Sequence, residues 1–164
     1  MIISGKNPAH VQQAVDALCT GELLGLPTET VYGLAADACN ETAVAKIFQA
    51  KGRPSNHPLI VHVSSVNEVK KFAHVVPDFA QKLMSQFWPG PLTLILPRQT
   101  EMAAAAAGRQ NSVGLRCPSH PVAQEVLKAC AAKGVWGLAA PSANLFGRVS
   151  PTSAAHVQSE FGDV

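Results

Sequence analysis

Apolar positions along this chain alternate between helical and strand-like spacing, and turn residues mark each change. Val11, Ala14, Val15 and Leu18 form a stripe at helical spacing behind Asn7-Pro8, a capping residue followed by a proline suited to the first turn. Gly21 ends that helix. Residues 23–26 read as a buried strand closed by Pro27, and 33–36 as a second apolar segment, so 27–32 is a loop between two strands. Asn40 caps a predicted helix through Val44, Ile47, Phe48 and Lys51. A strand is predicted over 59–63, then helices over 66–72 and 77–87. Trp88-Pro89-Gly90-Pro91 breaks the chain before a strand at 92–96. The pattern ends with a strand at 113–116, a helix capped by Ser119 through Val122, Val126 and Leu127, a strand at 136–140 and a helix over 151–161. Residues 103–107 are all alanine: helical by propensity, but with few anchors, so their state stays open. Strands and helices interleave, which makes the class α/β with a mixed rather than strictly parallel sheet.

A chain of 164 residues suits one domain. Its hydrophobic fraction of 47% and charged fraction of 15% are those of a globular protein, not of a disordered one. A net charge of +2 draws nucleic acid only weakly. Cys19, Cys39, Cys117 and Cys130 form no CxxC pair, so buried reduced thiols are expected rather than a zinc site or a disulfide framework. The first residues lack the apolar core of a signal peptide, and no apolar run approaches the ~20 residues of a membrane span. The expected location is cytoplasmic, with no membrane partner.

Candidate chemistry concentrates in a few short runs. Lys51-Gly52-Arg53-Pro54 makes a good helix stop, because a basic residue complements the helix dipole and Gly then Pro end it. The same turn can present two cations to phosphate oxygens, Arg53 through two parallel bonds. Pro141-Ser142-Ala143-Asn144 follows an apolar strand, where α/β proteins place ligand loops, although the residues also suit an ordinary turn. The loop Pro27-Thr28-Glu29-Thr30-Val31-Tyr32-Gly33 could be a plain polar connection; Glu29 could orient a neighbour or bind a metal, but has no partner carboxylate for general-base work. His57 and His62 lack metal-ligand spacing, and His62 near a strand end reads equally as a hydrogen-bonded core residue. Arg116, at a strand end, suits a carboxylate, whereas His120 caps or packs at a helix start. Arg98, Arg109, Lys133 and Arg148 are candidates for an RNA groove. There is no GxxxxGK[ST] run for a P-loop and no GxGxxG after a strand for a dinucleotide fold.

Taken together, Leu26-Pro27-Thr28-Glu29-Thr30-Val31-Tyr32-Gly33-Leu34, Lys51-Gly52-Arg53-Pro54, His57-Pro58-Leu59, Trp88-Pro89-Gly90-Pro91-Leu92-Thr93 and Ser142-Ala143-Asn144 resemble the YrdC/TsaC family of threonylcarbamoyl-adenylate synthases in tRNA modification. The segments occur in the family's order and span about Leu23 to Pro151. The resemblance implies a YrdC-like twisted mixed sheet with flanking helices and an open substrate cleft. It also implies that residues 1–164 are one such domain lacking its C-terminal strands. The implied reaction, a nucleotidyl transfer, joins L-threonine, bicarbonate and ATP into threonylcarbamoyl-AMP and pyrophosphate. Lys51 and Arg53 would carry catalysis and hold ATP together with Thr30, Ser142 and Asn144. Thr28, Tyr32, His62 and Arg116 would receive threonine and bicarbonate. Mg²⁺ would be held mainly by the ATP phosphates, with no metal site on the protein. The implied partners are a complex that transfers the threonylcarbamoyl group to tRNA and, by direct binding, tRNA itself. Two rivals stay open: a non-catalytic module of this fold that binds double-stranded RNA or tRNA, and a carbamoyl-transfer domain like that of hydrogenase maturation factors.

Overall fold

The computed structural model of the protein describes residues 1–162. In chain order the elements are α1 (Pro8–Cys19), β1 (Leu24–Leu26), β2 (Gly33–Asp37), α2 (Glu41–Lys51), β3 (Ile60–His62), α3 (Val69–Phe72), α4 (Asp78–Phe87), β4 (Thr93–Pro97), β5 (Ser112–Arg116), α5 (Pro121–Ala132), β6 (Leu138–Ala139) and α6 (Ala154–Phe161). A short 3-10 turn, Val66–Glu68, leads into α3 and is held by a capping box between Ser65 and Glu68. The strands form one sheet in the order β1-β2-β6-β3-β5-β4. Only β3 and β5 run parallel; the other neighbours are antiparallel, so the sheet is mixed as the sequence predicts.

Side-chain alternation along the strands builds two cores, one on each face. Leu34, Ala36, Val61 and Leu115 join Val44 and Ile47 of α2 and Phe72 of α3 in the larger core. Ala35 and Leu138 point the other way, into a core made with Val15 and Leu18 of α1 and Val126 and Leu127 of α5. Because both its faces are covered, β2 is buried over Gly33–Ala36 and reads as a continuous apolar run rather than an alternating one. At the sheet edge, β4 alternates: Leu94 and Leu96 are buried while Ile95 is 73% exposed.

Local chemistry explains where the elements depart from prediction. Ser119 does not cap α5: His120 occupies that position without a side-chain bond, while the Ser119 N–H is drawn away to Glu29. Helix α6 starts three residues later than expected, because Ser153 accepts a bond from the His156 N–H and caps it. The carbonyl of Pro151 is instead engaged by the Tyr32 N–H at 2.9 Å. The alanine run forms turns, not a helix, with Ala103 in the left-handed region at φ 51°. Arg98 holds this loop through the carbonyl oxygens of Gln99, Thr100, Met102 and Gln110 at 2.6–2.9 Å. Small side chains there let the loop lie close against residues 56–59; the Leu59 N–H donates to the Ala106 carbonyl at 2.7 Å. Cys117 and Cys130 are buried as expected, but Cys19 and Cys39 are exposed; all four are free thiols.

Gly137 precedes β6 where the backbone meets the larger core. A Cβ there would lie 2.8 Å from both Phe72 Cζ and Val61 Cγ1, and Phe72 is fully buried. Gly137→Ala should therefore destabilise the fold by about 1–3 kcal/mol through overpacking, read as a lowered urea midpoint at unchanged m-value.

Candidate active site

Lys51 lies one turn beyond Ile47 on the face of α2 that enters the core, so helix geometry directs it inward. The residue is 2% exposed. An ammonium so placed needs acceptors, and it finds the carbonyl oxygens of Ser142, at 2.6 Å, and Asn144. Its own carbonyl accepts the Phe146 N–H at 2.8 Å, closing the contact between the end of α2 and the 142–146 loop. Burial, and then the neighbouring Arg53 charge, lower its pKa from 10.5 to about 8, against the opposing pull of Glu160. Gly52 takes the left-handed conformation that ends the helix, with φ 61°. The bland and the functional readings of Lys51-Gly52-Arg53-Pro54 thus coexist in one turn.

Arg53 donates to the Pro58 carbonyl at 3.1 Å, and its guanidinium carbon lies 5.9 Å from the Phe146 ring centroid. Its Nε is buried without a partner, and burial lowers its pKa. Asn144 is 5% exposed and spends its amide N–H groups on the carbonyls of Leu145 and Arg148. Those acceptors fix the amide's orientation, leaving Oδ1 buried and without a partner. The Ser142 side chain is half-buried on the same loop.

Strand alternation creates a second group. Val61 and Leu115 enter the larger core, so His62 and Arg116, paired in the β3–β5 register, emerge together on the opposite face. Burial, then the Arg116 charge, push His62 down to about 4, so the imidazole is neutral at physiological pH. Arg116 donates through Nη2 to Glu29 Oε1 at 2.5 Å and to Thr30 Oγ1 at 3.1 Å. Glu29 Oε2 also accepts the Ser119 N–H at 3.1 Å. Burial pushes the Glu29 carboxyl up, but the Arg116 bond and charge, with backbone N–H donors, hold it below the ordinary glutamate range. Arg116 Nε and His62 Nδ1 are both buried without partners. Thr28 is committed to its own loop: Oγ1 donates to the Val31 carbonyl at 2.7 Å and lies 3.0 Å from Thr30 Oγ1.

Residues 28–33 join the two groups. At one end Glu29 and Thr30 grip Arg116; at the other, the Tyr32 carbonyl accepts the Ala143 N–H at 2.8 Å, and Gly33 bridges to Ser142. Tyr32 lines a cavity of about 420 Å³ beside α1, β1 and α6, a cavity that Lys51, Arg53, His62, Arg116, Ser142 and Asn144 do not line. Glu160 escapes the sequence reading. It accepts the Leu145 N–H at 3.2 Å, and its Oε1 stands 3.6 Å from Arg148 Nη1. Its signal was legible: it sits three residues after the core-packed Val157, on the inner face of α6. Three of the candidate RNA-groove residues are engaged within the chain: Arg98 in its loop, Lys133 with Asp16 at 2.6 Å and Arg148 with Glu160. Among the described residues no group of three or more His, Cys, Asp or Glu side chains could hold a metal ion. None of the described helices is long and apolar enough to cross a membrane.

Comparison with known proteins places this arrangement. The Sua5/YciO/YrdC family model, described as "Telomere recombination", matches residues 16–164. A threonylcarbamoyl-AMP synthase of Pyrococcus abyssi is 44% identical over 141 residues, covering 86% of this chain and 40% of its own. One from Bacillus subtilis is 43% identical over 152 residues, covering 92% of this chain and 43% of its own. The chain thus spans about two fifths of the length of these relatives. The crystal structure of P. abyssi Sua5 complexed with L-threonine superposes with a TM-score of 0.90 at 40% identity, over 99% of this chain and 46% of that one. By its sheet, its charged groups and this extent of match, the chain belongs to the Sua5/YciO/YrdC family.

Proposed function

We propose that this chain makes threonylcarbamoyl-AMP and pyrophosphate from L-threonine, bicarbonate and ATP, a nucleotidyl transfer that supplies tRNA threonylcarbamoyladenosine formation. The observation that carries the reading is the 28–33 segment, which ties a cation pair suited to phosphates to an arginine–histidine pair suited to an amino acid. The names of the relatives and the threonine complex of a neighbour at 40% identity support it.

The physical problem is repulsion between anions. Carboxylated threonine is negative and must attack the α-phosphorus of a polyanionic nucleotide. Fixed positive charge lowers that barrier by acting where charge develops. Lys51 and Arg53 supply it from the protein, and Mg²⁺ carried by the ATP substrate would add positive charge at the phosphates. Arg116 Nε, buried without a partner, receives the amino-acid carboxylate. His62 stays neutral and offers its unpartnered Nδ1 to the threonine hydroxyl or amine. Asn144 has only its acceptor left, so it takes a ribose hydroxyl rather than a phosphate oxygen. Thr28 shapes the loop, Thr30 and Ser142 orient the reactants, and the Tyr32 backbone keeps the two halves in register. Catalysis is then positioning and electrostatics, without a covalent enzyme intermediate.

Arg53→Ala is a cleaner test than a change at Lys51, whose loss would leave buried carbonyls unpartnered. Pyrophosphate release that requires both L-threonine and bicarbonate, and is weaker with L-serine, is expected from the wild type. The variant should lose about 100-fold in rate while keeping its thermal midpoint. Near-normal turnover in folded Arg53→Ala would reject the site.

The lowered Lys51 pKa has two consequences with pH. Below about 8 the ammonium is charged and binds phosphate; above it the KM for ATP should rise, measured across the range pH 7–9.5. In stability the direction reverses. Between about 8 and 10.5 the unfolded chain holds a proton that folded Lys51 has released, so the cost of burying this charge is relieved as pH rises through that window.

A further inference from the structure

Glu29 belongs to no substrate in the reading above, yet it makes the shortest ionic contact of the candidate site. Its carboxylate touches two places remote in sequence: Arg116 Nη2 at 2.5 Å through Oε1, and the Ser119 N–H at 3.1 Å through Oε2. Both side chains of the ion pair are largely sheltered, with relative exposures of 11% for Arg116 and 21% for Glu29. Sheltered charges interact more strongly than solvated ones, and losing one leaves the other without compensation. A third bond leaves the same Nη2, to Thr30 Oγ1 at 3.1 Å, and that hydroxyl lies 3.0 Å from Thr28 Oγ1, which donates to the Val31 carbonyl.

These bonds engage one nitrogen of the guanidinium and leave Nε buried without a partner. An arginine side chain has several rotatable bonds and loses rotamer freedom when it binds. Here that freedom is lost before any substrate arrives, because Glu29 fixes the planar group from the side. The Ser119 contact adds a second restraint by tying the 28–33 loop to the turn between β5 and α5. His62, neutral and paired with Arg116 in register, leaves Glu29 as the negative partner that holds this guanidinium.

We propose that Glu29 is a positioning residue for the amino-acid half of the site. It presets Arg116 so that the remaining N–H edge receives a substrate carboxylate, and it does not contact substrate itself. The inference rests on the synthase reading and adds a residue to it. Glutamine is the sharpest replacement. It keeps the size of Glu29 but has one acceptor for two donors and turns an amide N–H toward the other. Aspartate keeps the charge but is one methylene too short to span both partners.

The test is steady-state pyrophosphate release by wild type, Glu29→Gln and Glu29→Asp, varying L-threonine and ATP separately, with thermal unfolding of each. Calorimetric titration of each protein with L-threonine alone supplies a readout independent of turnover. Glu29→Gln should raise the KM and Kd for threonine about 10–100-fold, the worth of a charge-assisted bond, and leave the KM for ATP within about two-fold. Glu29→Asp should fall between Glu29→Gln and wild type. A purely structural role would raise both KM values together or lower the thermal midpoint without a split between substrates, and either result would overturn the proposal. So would unchanged threonine affinity in Glu29→Gln alongside an active wild type, which leaves the synthase reading intact. A wild type that neither binds threonine nor releases pyrophosphate in its presence would overturn both.

Discussion

The ammonium of Lys51 is the constraint on which the rest of the candidate site depends. A lysine 2% exposed at the end of a core helix must find acceptors, and it takes two backbone carbonyls from a segment more than ninety residues away. That choice places the 142–146 loop against α2. The loop in turn bonds to Tyr32 and Gly33, and the 28–33 segment carries Glu29 and Thr30 to Arg116. Removing the Lys51 side chain would loosen a chain of contacts, not one bond.

The two halves of the site solve opposite electrostatic problems. Around Lys51 and Arg53 positive charge is in excess: the cations repel each other, burial lowers both pKa values, and Glu160 offsets this only in part. Such a cluster is poised for an anion. Around Arg116 the charge is compensated within the protein by Glu29, and His62 is held neutral by burial and by the same arginine. There the geometry of the guanidinium is set in advance. An excess of charge favours capture of a polyanion, while a compensated pair favours orientation of a smaller one.

A limited set of elements supports this arrangement. The parallel β3–β5 pair sets His62 beside Arg116, and the antiparallel β2–β6 pair brings Gly33 to Ser142. Arg98 shows how the scaffold uses charge away from the site: a cation proposed for RNA instead binds four backbone carbonyls and shapes the alanine loop. An arginine in a sequence reads the same whether it faces solvent or a ring of carbonyls.

What the sequence determined by itself was local. Asn7 and Asn40 as caps, Gly52 as the stop of α2, and the apolar runs that become β2, β3 and β5 follow from residue chemistry within a few positions. The grouping of Lys51, Arg53, Ser142 and Asn144 came through family resemblance, because no spacing along the chain brings position 51 to position 144. Some errors were local competitions decided elsewhere. Ser119 is a good cap by residue type, but the helix begins one residue later, behind His120; the alanine run favours a helix, but Arg98 gathers the flanking carbonyls of Gln99, Thr100, Met102 and Gln110. Only the tertiary structure decided the partner of Glu29, the neutrality of His62, the spent amide of Asn144 and the role of Glu160. The physical reason is that capping and periodicity act over one or two turns, whereas charge pairing and desolvation depend on distances through space that the folded sheet alone creates.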